Sequence, residues 1–134
     1  MRRSMMVCLA AILGLMLIAA SCSNDDTSSP AEGGTPTGEE ATDVSGMTEL
    51  DMEVDSFYFE PAVLQGTAGQ TLSIHLGNES DVSHTFTIDE QSIDEELAGG
   101  ASADVEVTFP DSGSVTFFCR FHESSGMVGE LTVA

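Results

Sequence analysis

Glu49-Leu50-Asp51-Met52-Glu53-Val54-Asp55 alternates without a break: acids at 49, 51, 53 and 55, apolar side chains at 50, 52 and 54. A period of two sends successive side chains to opposite faces of an extended strand. One face is then oily and the other carries only carboxylates, the pattern of a sheet with one face on a core and the other on water. Downstream, Leu72, Ile74 and Leu76 alternate with Ser73, His75 and Gly77, and His84 to Ile88 places Phe86 and Ile88 on one face. Val105, Val107 and Phe109 repeat the period, as do Val115, Phe117 and Cys119, and Met127 to Val133 brings Val128, Leu131 and Val133. Gly66 and Gly69, Gly99-Gly100 and Pro110-Asp111-Ser112-Gly113 are turn signals between these runs, and Pro61 marks an edge or a switch of strand. Gln91 to Leu97, rich in acids, reads as a short helical turn. The expectation is an all-β sandwich or barrel of seven or eight short strands over residues 49–134.

Upstream of that domain the composition changes twice. Residues 1–21 have Arg2 and Arg3 at the start, 16 uncharged residues from Met5 to Ala20, and small residues Ala19-Ala20-Ser21 just before Cys22. A basic start, a short apolar run and small residues at the cut describe a secretory signal, and the run is short for a membrane-spanning helix. The cysteine that follows resembles a bacterial lipoprotein processing site. The resemblance implies cleavage before Cys22, lipid on its sulfur and an exported domain anchored at the membrane, facing the periplasm or the cell exterior. Residues 22–48 follow as a Ser, Thr, Gly, Pro and acid-rich stretch with no period, a flexible acidic linker with a root-mean-square reach of about 25–30 Å. A swinging arm and a plain spacer are both compatible with it. Arg2-Arg3 is compatible with the general export route and with a twin-arginine route.

The charge balance excludes whole classes of partner. Asp and Glu number 23 against 3 Lys plus Arg, a formal net charge of -20 in 134 residues. Nucleic-acid binding needs a basic face, which this chain lacks. The folded part offers no footing on an anionic lipid surface either. With the signal removed, Arg120 is the one base left. The acids Asp89, Glu90, Asp94, Glu95 and Glu96 read as a solvated stretch of a uniformly acidic protein rather than a dedicated steering patch.

Three cysteines are present, Cys8, Cys22 and Cys119. Cys8 leaves with the signal and Cys22 takes lipid, so Cys119 has no partner within the chain. An unpaired cysteine in an oxidising compartment is explained by intermolecular pairing, by burial, by a nucleophilic role or by a metal. Its neighbours decide. Cys119-Arg120-Phe121-His122 and then Met127 form a Cys-x2-His-x4-Met sequence between the last two expected strands, and His84 opens an earlier strand. Two imidazoles, a thiolate and a thioether are the ligand set of a blue-copper centre. His84, Cys119, His122 and Met127 are therefore the candidate ligands of one type 1 copper ion. His75, on the polar side of its strand, reads as a surface residue.

These stretches resemble the cupredoxin family, in its plastocyanin and halocyanin type. Phe57-Tyr58-Phe59-Glu60-Pro61 is similar to the family's aromatic-x-aromatic-x-Pro motif, Asn78 to His84 to its Asn-x5-His, and Phe118 to Gly129 to its C-terminal copper loop. The resemblance covers residues 49–134. It implies a Greek-key β-sandwich with copper on the four named residues, His122 as the exposed ligand, and an apolar rim from Phe121 with Phe57 or Phe59. Three positions depart from the family pattern. Thr85 stands where plastocyanins usually carry Asn, a position that steadies the copper loop by hydrogen bonding, and Arg120-Phe121 replace a small residue and Pro.

Three functions compete on the sequence. One is a membrane-tethered carrier of single electrons between unidentified redox proteins outside the cytoplasm, a carrier and not an enzyme. Another is copper capture or delivery, which usually comes with extra Met or His clusters; here Met1, Met5, Met6, Met16 and Met47 all precede the domain. The third is a cysteine hydrolase using Cys119 and His122, for which the chain offers no other support. The first is the expectation.

Overall fold

The computed structural model describes residues 38–134. The expected signal peptide, Cys22 and the first part of the linker lie outside the described residues.

Among the described residues, ten strands form two sheets. They are β1 (Thr42–Asp43), β2 (Glu49–Asp55), β3 (Tyr58–Glu60), β4 (Val63–Gly66), β5 (Thr71–Asn78), β6 (His84–Ile88), β7 (Ile93–Leu97), β8 (Ser102–Thr108), β9 (Ser114–Phe118) and β10 (Val128–Val133). A four-stranded sheet runs β3-β2-β5-β8 and a six-stranded sheet runs β1-β4-β10-β9-β6-β7. The β2–β5, β4–β10 and β1–β4 pairs are parallel and the others antiparallel. The chain changes sheet repeatedly, which closes the sandwich over one core. Pro61 sits at one such change, between β3 in one sheet and β4 in the other.

The alternation in β2 does what its period requires. Met52 and Val54 are buried while Glu49, Asp51 and Glu53 face water. In register beside them, Leu72, Ile74 and Leu76 of β5 and Val105 and Val107 of β8 point the same way. Opposite lie Phe86, Ile88, Phe117 and Leu131 from the six-stranded sheet. Phe86 and Phe117 stack with centroids 4.9 Å apart, and Phe59 meets both edge-on at 5.9 and 5.2 Å. Such aromatic pairs contribute about 0.5–1.5 kcal/mol each beyond the area they bury.

Three expectations are corrected. Residues 49–134 of the sandwich form nine strands, slightly more than the seven or eight expected there, and β1 precedes them among the described residues. The helical turn expected over Gln91 to Leu97 is a one-turn 3-10 helix at Asp89–Gln91, and Ile93–Leu97 is an edge strand paired with β6. Asp94-Glu95-Glu96 hid it: Asp94 and Glu96 face water, and at this edge Glu95, on the opposite face with Ile93 and Leu97, is half-exposed too, so acids stand at successive positions. The third concerns the linker: Thr42–Asp43 pair with β4 and Val44 is fully buried, so the ordered domain begins ahead of Glu49.

The outer face of the four-stranded sheet carries His75 between Asp51 and Asp104 in register. His75 Nδ1 lies 2.7 Å from Asp104 Oδ1, and both side chains are largely exposed. The hydrogen bond and then the charge of Asp104 hold the imidazole above its ordinary 6.5. A raised histidine contributes stability below the ordinary value and loses it as pH rises through the folded one. The His75 ring protons should titrate with a midpoint above 6.5 by NMR, and Asp104→Ala should bring the midpoint back down. A midpoint unmoved by Asp104→Ala would refute the pairing, and high salt should narrow the difference because the pair is exposed.

Candidate metal centre

Cys119 follows directly on β9, and its backbone is locked by the loop that it opens. Cys119 N–H donates to Met127 O at 3.0 Å, His122 N–H to Cys119 O at 3.0 Å, and Met127 N–H to His122 O at 3.3 Å. Between them Glu123–Ser125 make one 3-10 turn, closed by Gly126 at φ +84°, in the left-handed region that glycine enters without a Cβ penalty. Cys-x2-His-x4-Met is thus a self-bonded loop that returns Met127, fully buried, beside Cys119, also fully buried.

His84 arrives from the other side, at the start of β6, a central strand in which all five residues are buried. Asn78 shapes the approach. Its amide nitrogen donates to Val82 O, Leu97 O and Ala98 O at 2.8–3.2 Å, and its oxygen accepts from Ser80 N–H and Oγ–H. That is the physical content of the Asn-x5-His spacing: one buried amide fixes the bend that aims His84 inward.

The Nδ1 atoms of His84 and His122 lie 3.9 and 3.5 Å from Cys119 Sγ. The ligand atoms of these three residues all fall within 4.8 Å of one another. The far side of each ring is occupied differently. His84 Nε2 lies 3.0 Å from Ser80 Oγ and 3.5 Å from Ser56 Oγ. A proton on Nε2 leaves the Nδ1 lone pair facing the sulfur, which is how an outer partner fixes a ligand tautomer. Burial first, and the neighbouring His122 second, push the His84 imidazole below its ordinary value, so it is neutral and able to ligate near pH 7. His122 is half-buried, its ring 4.5 Å from the exposed Phe57 and 6.3 Å from the exposed Phe121. Of the aromatic residues expected at the rim, Phe57 and Phe121 are there, and Phe59 is core.

Thr85 resolves one departure from the family pattern. Its N–H donates to Cys119 Sγ at 3.3 Å and its hydroxyl oxygen accepts from Arg120 N–H at 2.9 Å. A hydroxyl thus ties the cysteine segment to the histidine strand at the position where an amide is usual. Sequence reasoning missed Ser80 and Ser56, because a serine four or 28 residues from a histidine carries no spacing signal.

The donor set fits a soft-to-borderline metal: one sulfur, two imidazole nitrogens facing it, and a buried thioether residue in the same loop. Among the described residues this is the one such group. No helix among them is long and apolar enough to cross a membrane.

Known proteins are similar to this chain in sequence and in fold. Potato (Solanum tuberosum) plastocyanin is 29% identical over 90 residues, covering 58% of this chain and 89% of that one. The blue copper protein auracyanin A of Chloroflexus aurantiacus superposes with a TM-score of 0.55 at 19% identity, over 65% of this chain and 98% of that one. The metal-binding domain of the Streptococcus pneumoniae Cu(I)-exporting P-type ATPase CopA superposes with a TM-score of 0.59 at 18% identity, over 72% and 98%. At these identities the two structures speak for the fold. The family model of the Cupredoxin-like domain matches residues 9–133. With its two-sheet sandwich and that match over most of its length, the chain belongs to the cupredoxin-like domain family.

Proposed function

We propose that this protein carries single electrons outside the cytoplasm, using one type 1 copper ion held by His84, Cys119, His122 and Met127. The observation that carries the reading is the convergence of two imidazole Nδ1 atoms and one thiol sulfur within 4.8 Å at one end of the sandwich. Plastocyanin among the sequence relatives and a blue copper protein among the structural ones support it. Bound there, copper supplies the one-electron chemistry by cycling between Cu(I) and Cu(II).

The chain's own residues supply the rest. Ser80 and Asn78 hold the His84 ring, and Thr85 N–H stabilises negative charge on the sulfur. Cys119 and Met127 are shut away from water, while His122 reaches the rim formed by Phe57 and Phe121. Electrons enter and leave through that half-buried ring, and the aromatic rim makes the transient contact with redox proteins. In this reading lipid on Cys22 anchors the domain, and the acidic linker gives it reach along the membrane.

The test is titration of the protein with Cu(II), followed by visible absorption. The expected result is an intense thiolate-to-copper band at one equivalent, bleached by a mild reductant and restored by reoxidation. Copper uptake without colour would overturn the carrier reading in favour of copper capture or delivery. No uptake by a folded protein would overturn the metal site.

The place of Met127 in the proposed ligand set has its own check. Met127→Leu should keep copper and colour but raise the reduction potential, since a weak donor that favours Cu(II) is lost. A tenfold loss of relative affinity for Cu(II) corresponds to about 59 mV. An unchanged potential in a redox titration would remove Met127 from the ligand set.

A further inference from the structure

We propose that Thr87 and Asp94 are positioning residues for the cysteine side of the metal site, acting through a closed ring of hydrogen bonds that begins and ends on Arg120. The proposal rests on the copper reading for its purpose, but the ring itself is formed by the protein alone.

The ring runs through four residues. Arg120 N–H donates to Thr85 Oγ1 at 2.9 Å, Thr85 Oγ1 and Thr87 Oγ1 are 3.1 Å apart, and Thr87 Oγ1 donates to Asp94 Oδ1 at 2.9 Å. Arg120 Nε donates to the same Asp94 oxygen at 2.8 Å. The direction of every bond follows from the ends. A carboxylate only accepts, so the Thr87 proton points at Asp94. The Thr87 oxygen must then accept from Thr85, whose own oxygen accepts from the Arg120 amide. No hydroxyl in the ring is free to turn without breaking a bond.

Burial makes the inner half costly to break. Thr85 is fully buried and Thr87 is 5% exposed. Each inner group that lost its partner would stand desolvated and unpaired. The outer half lies at the surface, where Arg120 also reaches Glu96 at 3.4 Å and lies over the Phe121 ring at 4.8 Å. The guanidinium and the Thr87 hydroxyl hold the Asp94 carboxyl below its usual range, so the acceptor stays charged.

The placement explains what the ring does. Thr85 follows His84, and Arg120 follows Cys119. Thr85 grips the cysteine from both sides, with its N–H on the sulfur and its oxygen on the next amide. A fixed Thr85 hydroxyl therefore fixes the peptide after Cys119, and Thr87 and Asp94 fix that hydroxyl. Thr85 alone would fall to a family habit; the extension through Thr87 to an ion pair on the edge strand belongs to this chain's own residues.

The experiment uses the full chain freed of metal by a chelator. Alkylation of Cys119 is followed by peptide mapping, alongside amide exchange at Arg120 and at Ile74 in the far sheet. Thr87→Val should speed both alkylation of Cys119 and exchange at Arg120 about tenfold, the loss expected for one buried hydrogen bond. Ile74 exchange should stay unchanged, which a general loosening of the fold would not allow. Thr87→Ser, which keeps the hydroxyl, should stay at the wild-type rate. Asp94→Ala, at an exposed position that tolerates substitution, should change the rates in the same direction and keeps the test decisive if Thr87→Val does not fold. Wild-type rates in both Thr87→Val and Asp94→Ala would overturn the ring. Absence of a copper band in wild type would instead overturn the purpose assigned to it, whatever the alkylation rates.

Discussion

Cys119→Ser should remove completely the visible band expected of the copper-loaded protein. The band is a charge transfer from thiolate sulfur to copper, and no other described residue near the imidazoles offers sulfur with a comparable metal bond. A serine hydroxyl does not deprotonate at neutral pH, so the variant keeps two imidazoles and loses the anionic donor. Copper binding should weaken by orders of magnitude, since thiolate is the soft ligand that selects this metal. The fold should survive, because serine is close in size and Thr85 N–H finds an oxygen where it had a sulfur at 3.3 Å. Thermal unfolding of the metal-free variant should therefore stay within about 1 kcal/mol of wild type. A retained colour would show that the sulfur is not a ligand. A collapsed fold would show that the buried thiol is chiefly a packing residue.

Gly129→Ala is the substitution expected to cost most in stability. A Cβ at this position in β10 would overlap the Phe117 ring and the carbonyl oxygen of Ala62. Neither neighbour has room to yield. Phe117 is fully buried, stacked on Phe86 and edge-on to Phe59. The Ala62 carbonyl accepts from Glu130 N–H at 2.8 Å, so moving it breaks a bond between β10 and its neighbour. Overpacking against unyielding groups costs about 3 kcal/mol or more. Chemical denaturation should show a large drop in midpoint at constant slope. Gly113→Ala makes the contrast, since its position has a positive φ but open space, and it should cost about 1 kcal/mol. Equal losses for the two would mean that the close approach at Gly129 is not the cause.

Legibility in the sequence followed burial. Where a strand has one face in water, as Glu49–Asp55 and Thr71–Asn78 do, the period of two gave the strand away. β6 showed only Phe86 and Ile88 as apolar, yet all five of its residues are buried. Thr85 and Thr87 spend their polarity on partners distant in the chain, which no local period reports. Edge strands were the main loss. Thr42–Asp43 is too short to show a period, and Ile93–Leu97 is masked by its acids. The site itself was legible because its chemistry is local: a cysteine, a histidine and a methionine in one loop, plus one histidine after Asn-x5. What orients those residues was not, since a serine four residues before His84 carries no spacing signal, and Asp94 and Arg120 take their meaning from a contact 26 residues apart in the chain.

Among the described residues, the outermost strands of both sheets share one property. β1 has Asp43, β3 has Glu60, β7 has Asp94, Glu95 and Glu96, and β8 has Asp104 and Glu106. An open margin invites another chain to add its own strand, and a run of such additions is a fibre. Two copies approaching margin to margin here bring carboxylates against carboxylates with almost no lysine or arginine to neutralise them. The acidity that excludes nucleic acid and anionic lipid as partners therefore also acts as a barrier to self-assembly, and high salt, which screens exposed charges, should weaken it.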